Sequence, residues 1–508
     1  MNDFVSMYCD WNKALLAQLT ATAYFAEGAG SYNEDFLKPL ITATELFQKT
    51  EASRICTRDP ITNAKAYSKL LEYNNELLAR YTQGTLKIAG AYFQKNLQQY
   101  LEAVSATLQG KNSQTIGDFF LEKQNDLHRV IIEYPQAIKD IEPEFGFHFE
   151  EQPDSIFAET DRFILRKVLP SEPRVKIDNS MKPIIIIPPF VLGANILAFL
   201  PQEKKSYAHG FANRSVPTYI RIMKDIQETP ALQTMSLEDD LHDTIYFCEK
   251  VKEAHGSKVT LNGYCQGGFS ALCNILTGEL DGLVDALITC VAPIDGTRSV
   301  GLGNFLESLP DEFNDLAFGT KTLANGNEIA DGNLMGWVYK LKSIEGSGPM
   351  ANFFNDLMML GSRNGKAPTI NKTVAALNYW LQNERSDLPL SVTRMSYNSY
   401  NIPITEDGTL PITISGKKLN LNSLKNSDIS WLLCYGETDD LVEKEVALAP
   451  LDWLKPEVTP FPKGHVAIAT SWSNPESAFA IDSTFEDGKH RGPVRFHLDL
   501  AEELSRKN

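Results

Sequence analysis

Residues 259–273 read VTLNGYCQGGFSALC. A short β-type run climbs into Gly263-Tyr264-Cys265-Gln266-Gly267-Gly268, and a helical pattern follows. Gly-x-Cys-x-Gly is the spacing of a nucleophile elbow, a sharp strand-to-helix turn. The tip of such a turn is strained, so the residues two before and two after must be small. Gly263 and Gly267 meet that need, and Gly268 gives the helix further room to approach the sheet. The turn aims the Cys265 sulfur out of the sheet top, and the helix N-terminus behind it favours a thiolate. Free cysteines are more often small packing residues, and Cys273 and Cys290 read that way. For Cys265 the flanking glycines favour a nucleophile.

On either side of this stretch, strand and helix patterns alternate. Ile184–Ile187 is a run of isoleucines, as expected of a strand buried on both faces. Further strands are expected at Thr218–Ile222, Ala286–Val291, Ile429–Tyr435 and Glu457–Phe461. Ser236-Leu-Glu-Asp239 has the form of a capping box and opens a helix reaching about Ala254. Such alternation implies an α/β fold with a mostly parallel sheet and helices on both faces. This part is expected to span residues 151–508. Between about residues 296 and 428 the rhythm breaks into irregular text with Trp337, Tyr379, Trp380, Tyr397 and Tyr400. So long an interruption reads as a large cap or lid insertion.

Residues 1–150 read as a helical region. Asp59-Pro60 is a helix start, with Asp as N-cap and Pro in the first turn. Tyr67, Leu70, Leu71, Leu77, Leu78, Tyr81, Ile88 and Tyr92 then recur at three- and four-residue steps, one apolar face of a long helix. Packing against a neighbouring helix is the first expectation for that face, and contact with a partner or apolar particle the second. Glu142 to Pro173, which includes EPEFGFHFEEQPDS, reads as a linker.

A net charge of −17 over 508 residues argues against a nucleic-acid partner, because phosphate binding needs clustered Lys and Arg. The seven cysteines are scattered, with no CxxC, HExxH or Walker A pattern, so neither a disulfide framework nor a metal is expected. The N-terminal MNDFVSMYCDWNK lacks the basic flank of a secretory signal. Pro183–Pro201 is apolar and near the length of a membrane span. Pro188-Pro189 would break a helix there, so a strand, a loop and a helix start are expected instead. The chain reads as soluble and cytoplasmic.

Two further groups complete a catalytic set. ISWLLCY runs into Gly436-Glu437-Thr438-Asp439-Asp440-Leu441-Val442. In elbow-bearing sheets the triad order is nucleophile, acid, histidine, and an acid in this turn can fix the tautomer of a histidine. Asp439 fits the form Gly-x-x-Asp-x-Leu-Val, Asp440 comes second and Glu437 third; all three would also serve as ordinary turn and cap residues. Only His465, His490 and His497 follow. His465, in Pro462-Lys463-Gly464-His465, lies just past the last expected strand, at the carboxyl edge where catalytic groups gather. His490 lies between Lys489 and Arg491 and reads as solvated surface, and His497 belongs to the C-terminal segment. The oxyanion hole should use the N–H of Gln266, the residue after the nucleophile. Its second donor should come from the loop after Ile184–Ile187, where proline has no N–H and Phe190 or Val191 remains.

Taken together these motifs resemble the polyhydroxyalkanoate synthases, cysteine acyltransferases of the α/β-hydrolase fold, over roughly residues 150–475. IIIIPPFVLGANILAFLP resembles the family's strand-PP-x-x-N segment, NGYCQGG its modified lipase box, and RSDLPLSVTRMSYNSYNIP the segment before its acid strand. GETDDLV and GHVAIATS resemble its Asp and His motifs. After His465 the chain departs from the family, reading Ile468-Ala469-Thr470-Ser471-Trp472 where Gly, Asn and two prolines are usual. The resemblance implies Cys265 as nucleophile, His465 as base and Asp439 as its partner. It implies hydroxyacyl-CoA as substrate, a growing polyester chain as product, and no cofactor or metal. It also implies a homodimer, and an N-terminal region tied to a partner subunit or to granule-associated protein, so that the chain sits in the cytoplasm or on polyester granules. A thioesterase or polyester depolymerase with the same triad is the alternative.

Overall fold

In the computed structural model, which describes residues 2–110, 113–147, 155–314, 319–362 and 366–505, the alternating pattern becomes an eight-stranded sheet. Its strands are β1 (Ile156–Glu159), β2 (Phe163–Lys167), β3 (Ile184–Ile187), β4 (Thr218–Met223), β5 (Val259–Tyr264), β6 (Val284–Cys290), β7 (Ser430–Gly436) and β8 (Glu457–Phe461). Their spatial order is β1-β2-β4-β3-β5-β6-β7-β8. β1 and β2 pair antiparallel, as do β2 and β4, and every other pair is parallel. All four isoleucines of β3 are buried. Ile187 lies opposite Gly263, Tyr264 opposite Cys290, Cys290 opposite Cys434, and Gly436 opposite Phe461. The loops after β3, β5, β7 and β8 therefore leave the sheet at one edge, where parallel sheets collect their functional groups. A mostly parallel sheet of this order, with a nucleophile elbow after β5, is an α/β-hydrolase fold.

β1 and β2 fall in the stretch expected to be a linker. They are short, β1 has no buried position, and β2 carries Arg166 and Lys167 on half-buried or exposed positions. Antiparallel strands at a sheet margin lack the continuous apolar run that reveals a buried parallel strand. Residues 148–154 of the expected linker lie outside the described residues.

The chain forms two compact units. One comprises residues 1–141, 310–312 and 333–379. It contains α1 (Asn2–Arg54), α2 (Pro60–Gln109), α3 (Ile116–His128) and α4 (Tyr134–Asp140). Asp59 caps α2, accepting from the N–H groups of Ile61 and Thr62, and left-handed Gly110 ends it. Residues 333–379, expected to belong to the cap, are in this unit. Phe353 and Phe354 pack their rings on Phe25 and Tyr92 at 5.3 and 5.4 Å respectively. Gly84 of α2 lies so close to Glu345 that a Cβ would sit 1.8 Å from its carbonyl oxygen. The apolar face expected on α2 divides in two. Leu77 is buried, whereas Tyr67, Leu71 and Leu78 are exposed. Leu70-Leu71 and Leu77-Leu78 are adjacent pairs, and one helical stripe cannot bury both members. Leu71 and Leu78 instead continue into an exposed series with Leu86, Phe93, Leu97, Leu101 and Leu108.

The sheet belongs to the other unit, residues 142–309, 313–332 and 380–508. Here α5 (Leu237–His255) opens with a reciprocal capping box between Ser236 and Asp239, and α6 (Gln266–Leu276), the elbow helix, is buried along its whole length. α7 (Leu390–Asn401) lies in the part of the expected cap that stays with this unit. Among the described residues no helix is long and apolar enough to cross a membrane.

Candidate active site

Cys265 is the N-cap of α6, with φ 51° and ψ −123°, a left-handed backbone that a side chain adopts only under constraint. The constraint is visible. Its N–H donates to the Cys290 carbonyl at 2.8 Å, and its own carbonyl accepts from Gly268 and Phe269. A Cβ on Gly263 would lie 2.4 Å from Gly268 Cα. On Gly267 it would lie 2.3 Å from the Ile187 carbonyl oxygen and 2.4 Å from that of Pro188. The glycine spacing thus serves two close backbone approaches: elbow helix to β5, and elbow helix to the end of β3. Cys265 is partly exposed, whereas Cys248, Cys273, Cys290 and Cys434 are buried. Burial pushes the Cys248 thiol up to about 12 and raises that of Cys273 too.

Asp439 is buried after β7. Its Oδ1 accepts from the N–H groups of Leu441 and Val442, both at 2.9 Å. Its Oδ2 lies 2.8 Å from His465 Nδ1. Asp440 and Glu437 are exposed. The His465 ring is buried, and its Nε2 makes no hydrogen bond of ordinary geometry, while the Cys265 sulfur is near enough to act on the ring electrostatically. Burial alone would push this imidazole down. The Asp439 carboxylate, followed by Cys265, outweighs it and holds the pKa well above the ordinary histidine range.

Tyr264 is a positioning group that sequence reasoning missed: its buried hydroxyl donates to the backbone carbonyl of His465. Its place next to the nucleophile was the one available signal. The remaining histidines stand elsewhere. His490 is not solvated surface: its side chain is 12% exposed, Nδ1–H donates to the Val458 carbonyl, and Nε2 pairs with Glu486. His497 is fully buried against Thr260 and the Lys182 carbonyl, beside the beginnings of β5 and β3, and burial pushes it down to about 3.

Gln266 begins α6, where the first N–H groups have no intrahelical acceptor. The contact of Gly267 with Ile187 and Pro188 brings the loop holding Phe190 and Val191 alongside. Phe190 is buried, and the Val191 carbonyl accepts from the Ser386 N–H at 3.0 Å. Both candidate second donors thus lie on the loop beside the elbow. α7 crosses the same edge: Ser396 accepts from the Gln266 side chain at 2.6 Å, and the Tyr400 hydroxyl donates to the Leu441 carbonyl at 3.3 Å. Among the described residues no group of three or more His, Cys, Asp or Glu is arranged to hold a metal ion.

No family model matches the chain, and no curated protein matches it. Among solved structures it is similar to a putative aryl esterase from Burkholderia cenocepacia, at 13% identity and TM-score 0.32 over 68% of this chain and 94% of that one. It is also similar to the esterase RhEst1 from Rhodococcus sp. ECU1013, at 14% identity and TM-score 0.33 with the same coverage. A lipase-esterase related protein from Clostridium acetobutylicum matches at 11% identity and TM-score 0.32, over 68% of this chain and 98% of that one.

Proposed function

We propose that the protein is an acyltransferase of the polyhydroxyalkanoate synthase type, using Cys265, His465 and Asp439. The observation that carries this is a cysteine at the strained elbow tip, beside a buried His465–Asp439 pair. An imidazolium next to the sulfur favours thiolate. The thiolate attacks the thioester carbonyl of a hydroxyacyl-CoA, the carbonyl oxygen takes the negative charge, and the N–H groups of Gln266 and of Phe190 or Val191 stabilise it. The carbon–sulfur bond to CoA breaks, and CoA leaves with the proton from His465. Neutral His465 then takes the proton of the hydroxyl of a second hydroxyacyl-CoA, whose oxygen attacks the acyl-Cys265 carbonyl and releases the thiolate. The thiolate next attacks the thioester of the lengthened acyl-CoA, so that the chain returns to Cys265 one unit longer and CoA leaves.

Cysteine suits this sequence because one thioester is exchanged for another, so the acyl group remains activated for transfer. A serine ester would lose that activation. Water must be held off meanwhile, and the crossing of α7 over the elbow and the acid turn supports such shielding. Hydroxyacyl-CoA and the growing polyester are the substrates in this reading, with no cofactor. The exposed apolar series on α2 supports assigning residues 1–141 to association, with a second copy, a partner subunit or a polyester granule in the cytoplasm.

The test is incubation of purified protein with several hydroxyacyl-CoAs, following CoA thiol and product size. Wild type should release CoA while product bound at Cys265 grows beyond one unit. Cys265→Ala should release none, and Cys265→Ser should be severely slowed. Release of monomeric acid alone would identify a thioesterase or polyester depolymerase. Absence of both CoA release and Cys265 labelling would overturn the proposal.

A further inference from the structure

Behind the elbow lies an ion pair with no part in the chemistry above. Arg221 of β4 and Asp240 of α5 are both buried, with Nη1 and Oδ1 2.8 Å apart. The other carboxylate oxygen of Asp240 accepts from Ser270 Oγ at 2.6 Å and Asn274 Nδ2 at 3.0 Å. Ser270 and Asn274 are successive turns of α6, so Asp240 grips the elbow helix along one face. Thr244 of α5 closes the network, accepting from Arg221 at 2.9 Å and from Asn274 at 3.2 Å.

The Arg221 guanidinium also lies over the ring of Phe163 at 4.3 Å and near that of Phe190 at 5.6 Å. Arg221, Phe163 and Phe190 line one small cavity with Pro188, Pro189 and Ser386. A planar cation held at one edge by a carboxylate and covered by aromatic rings is fixed in position and plane. Phe190 is on the loop expected to give one oxyanion donor, and α6 begins with the other, Gln266. Besides the direct approach of Gly267 to Ile187 and Pro188, these two elements are joined through this buried pair.

We propose that Arg221 and Asp240 are positioning residues that set the separation of the two halves of the oxyanion hole. The proposal rests on the elbow chemistry described above. Its test separates the hole from the nucleophile. Alkylation of Cys265 by iodoacetamide needs the thiolate alone. Reversible addition to an alkyl trifluoromethyl ketone, followed by fluorine NMR, places an oxyanion in the hole.

Arg221→Lys keeps the charge opposite Asp240 but loses the planar face. It should weaken ketone binding and lower kcat about ten- to a hundredfold at nearly constant KM, as expected for a misplacement below 1 Å. Iodoacetamide alkylation should stay within about twofold. Phe190→Leu, which leaves the ion pair intact, should act in the same direction, and the double variant should be no worse than the more severe single one. Ketone binding and alkylation falling together, or neither changing, would overturn the proposal. So would wild type that is alkylated at Cys265 but forms no ketone adduct. Failure of the acyltransferase reading is distinct: ketone binds to wild type, yet no hydroxyacyl-CoA is turned over.

Discussion

His465 Nδ1 lies 2.8 Å from Asp439 Oδ2, while the neighbouring Asp440 is exposed. Two more hydrogen bonds, from Leu441 and Val442, fix the Asp439 carboxylate through its other oxygen. The carboxylate therefore has one orientation, and it imposes one tautomer on the imidazole. Asp439→Asn and His465→Ala should each lower turnover by ~10²–10⁴-fold, the usual range of general acid–base assistance, and Asp440→Asn should stay near wild type. Steady-state kinetics decide this; an inactive Asp440→Asn beside an active Asp439→Asn would move the acid by one residue.

The pH dependence follows from the same pair. His465 is held well above its ordinary pKa against the effect of burial, chiefly by Asp439. A raised folded-state value means that the imidazolium contributes stability fully below about 6.5, the unfolded value, and loses it as pH rises through the folded one. In Asp439→Asn, burial becomes the leading influence and the ring should be neutral at pH 7. The nitrogen NMR signature of the His465 ring at pH 7 should be that of a charged imidazolium in wild type and of a neutral imidazole in the variant, and the same signature in both would contradict the part given to Asp439.

Asp356 offers a stability test away from the site. Burial raises its carboxyl to about 6, partly offset by a hydrogen bond from Tyr32 at 2.6 Å. Because the folded value lies above the unfolded one, its contribution is greatest below pH ~3.9 and is lost as pH rises through about 6. Asp356→Asn should therefore match wild type in acid and exceed it by roughly 2–3 kcal/mol at pH 8. Denaturant titrations at both pH values check this, and a variant less stable at pH 8 would contradict it.

The exposed series on α2 should govern association. Leu78→Gln with Leu97→Gln removes two apolar side chains that are each more than half exposed, so the fold should lose little stability. Light scattering should show a smaller assembly, or granule binding should fall, while acyl labelling of Cys265 persists. Deleting residues 1–141 is a poorer test, since it would strip Phe353 and Phe354 of Phe25 and Tyr92. Unchanged mass and unchanged granule binding in the double variant would refute an association role for this face.

Much of the site was legible because its constraints are local. Glycine at 263 and 267 reports backbone crowding at a fixed spacing. An acid after β7 and a histidine after β8 report the order in which a parallel sheet presents its loops. The isoleucine run of β3 reports burial on both faces. These signals need no knowledge of distant contacts, so the sequence by itself determined the α/β sheet, its elbow and the candidates Cys265, Asp439 and His465. Tertiary structure alone showed that Asp439, not Asp440, is buried against the imidazole, since only packing reveals that placement. It alone placed Tyr264 behind His465, and joined Arg221 to Asp240, Ser270 and Asn274 across one strand and two helices. It also moved residues 333–379 from the expected cap to the N-terminal helices. Periodicity shows that a helix has an apolar face, but the partner of that face is set by long-range packing, which leaves no local mark on the chain.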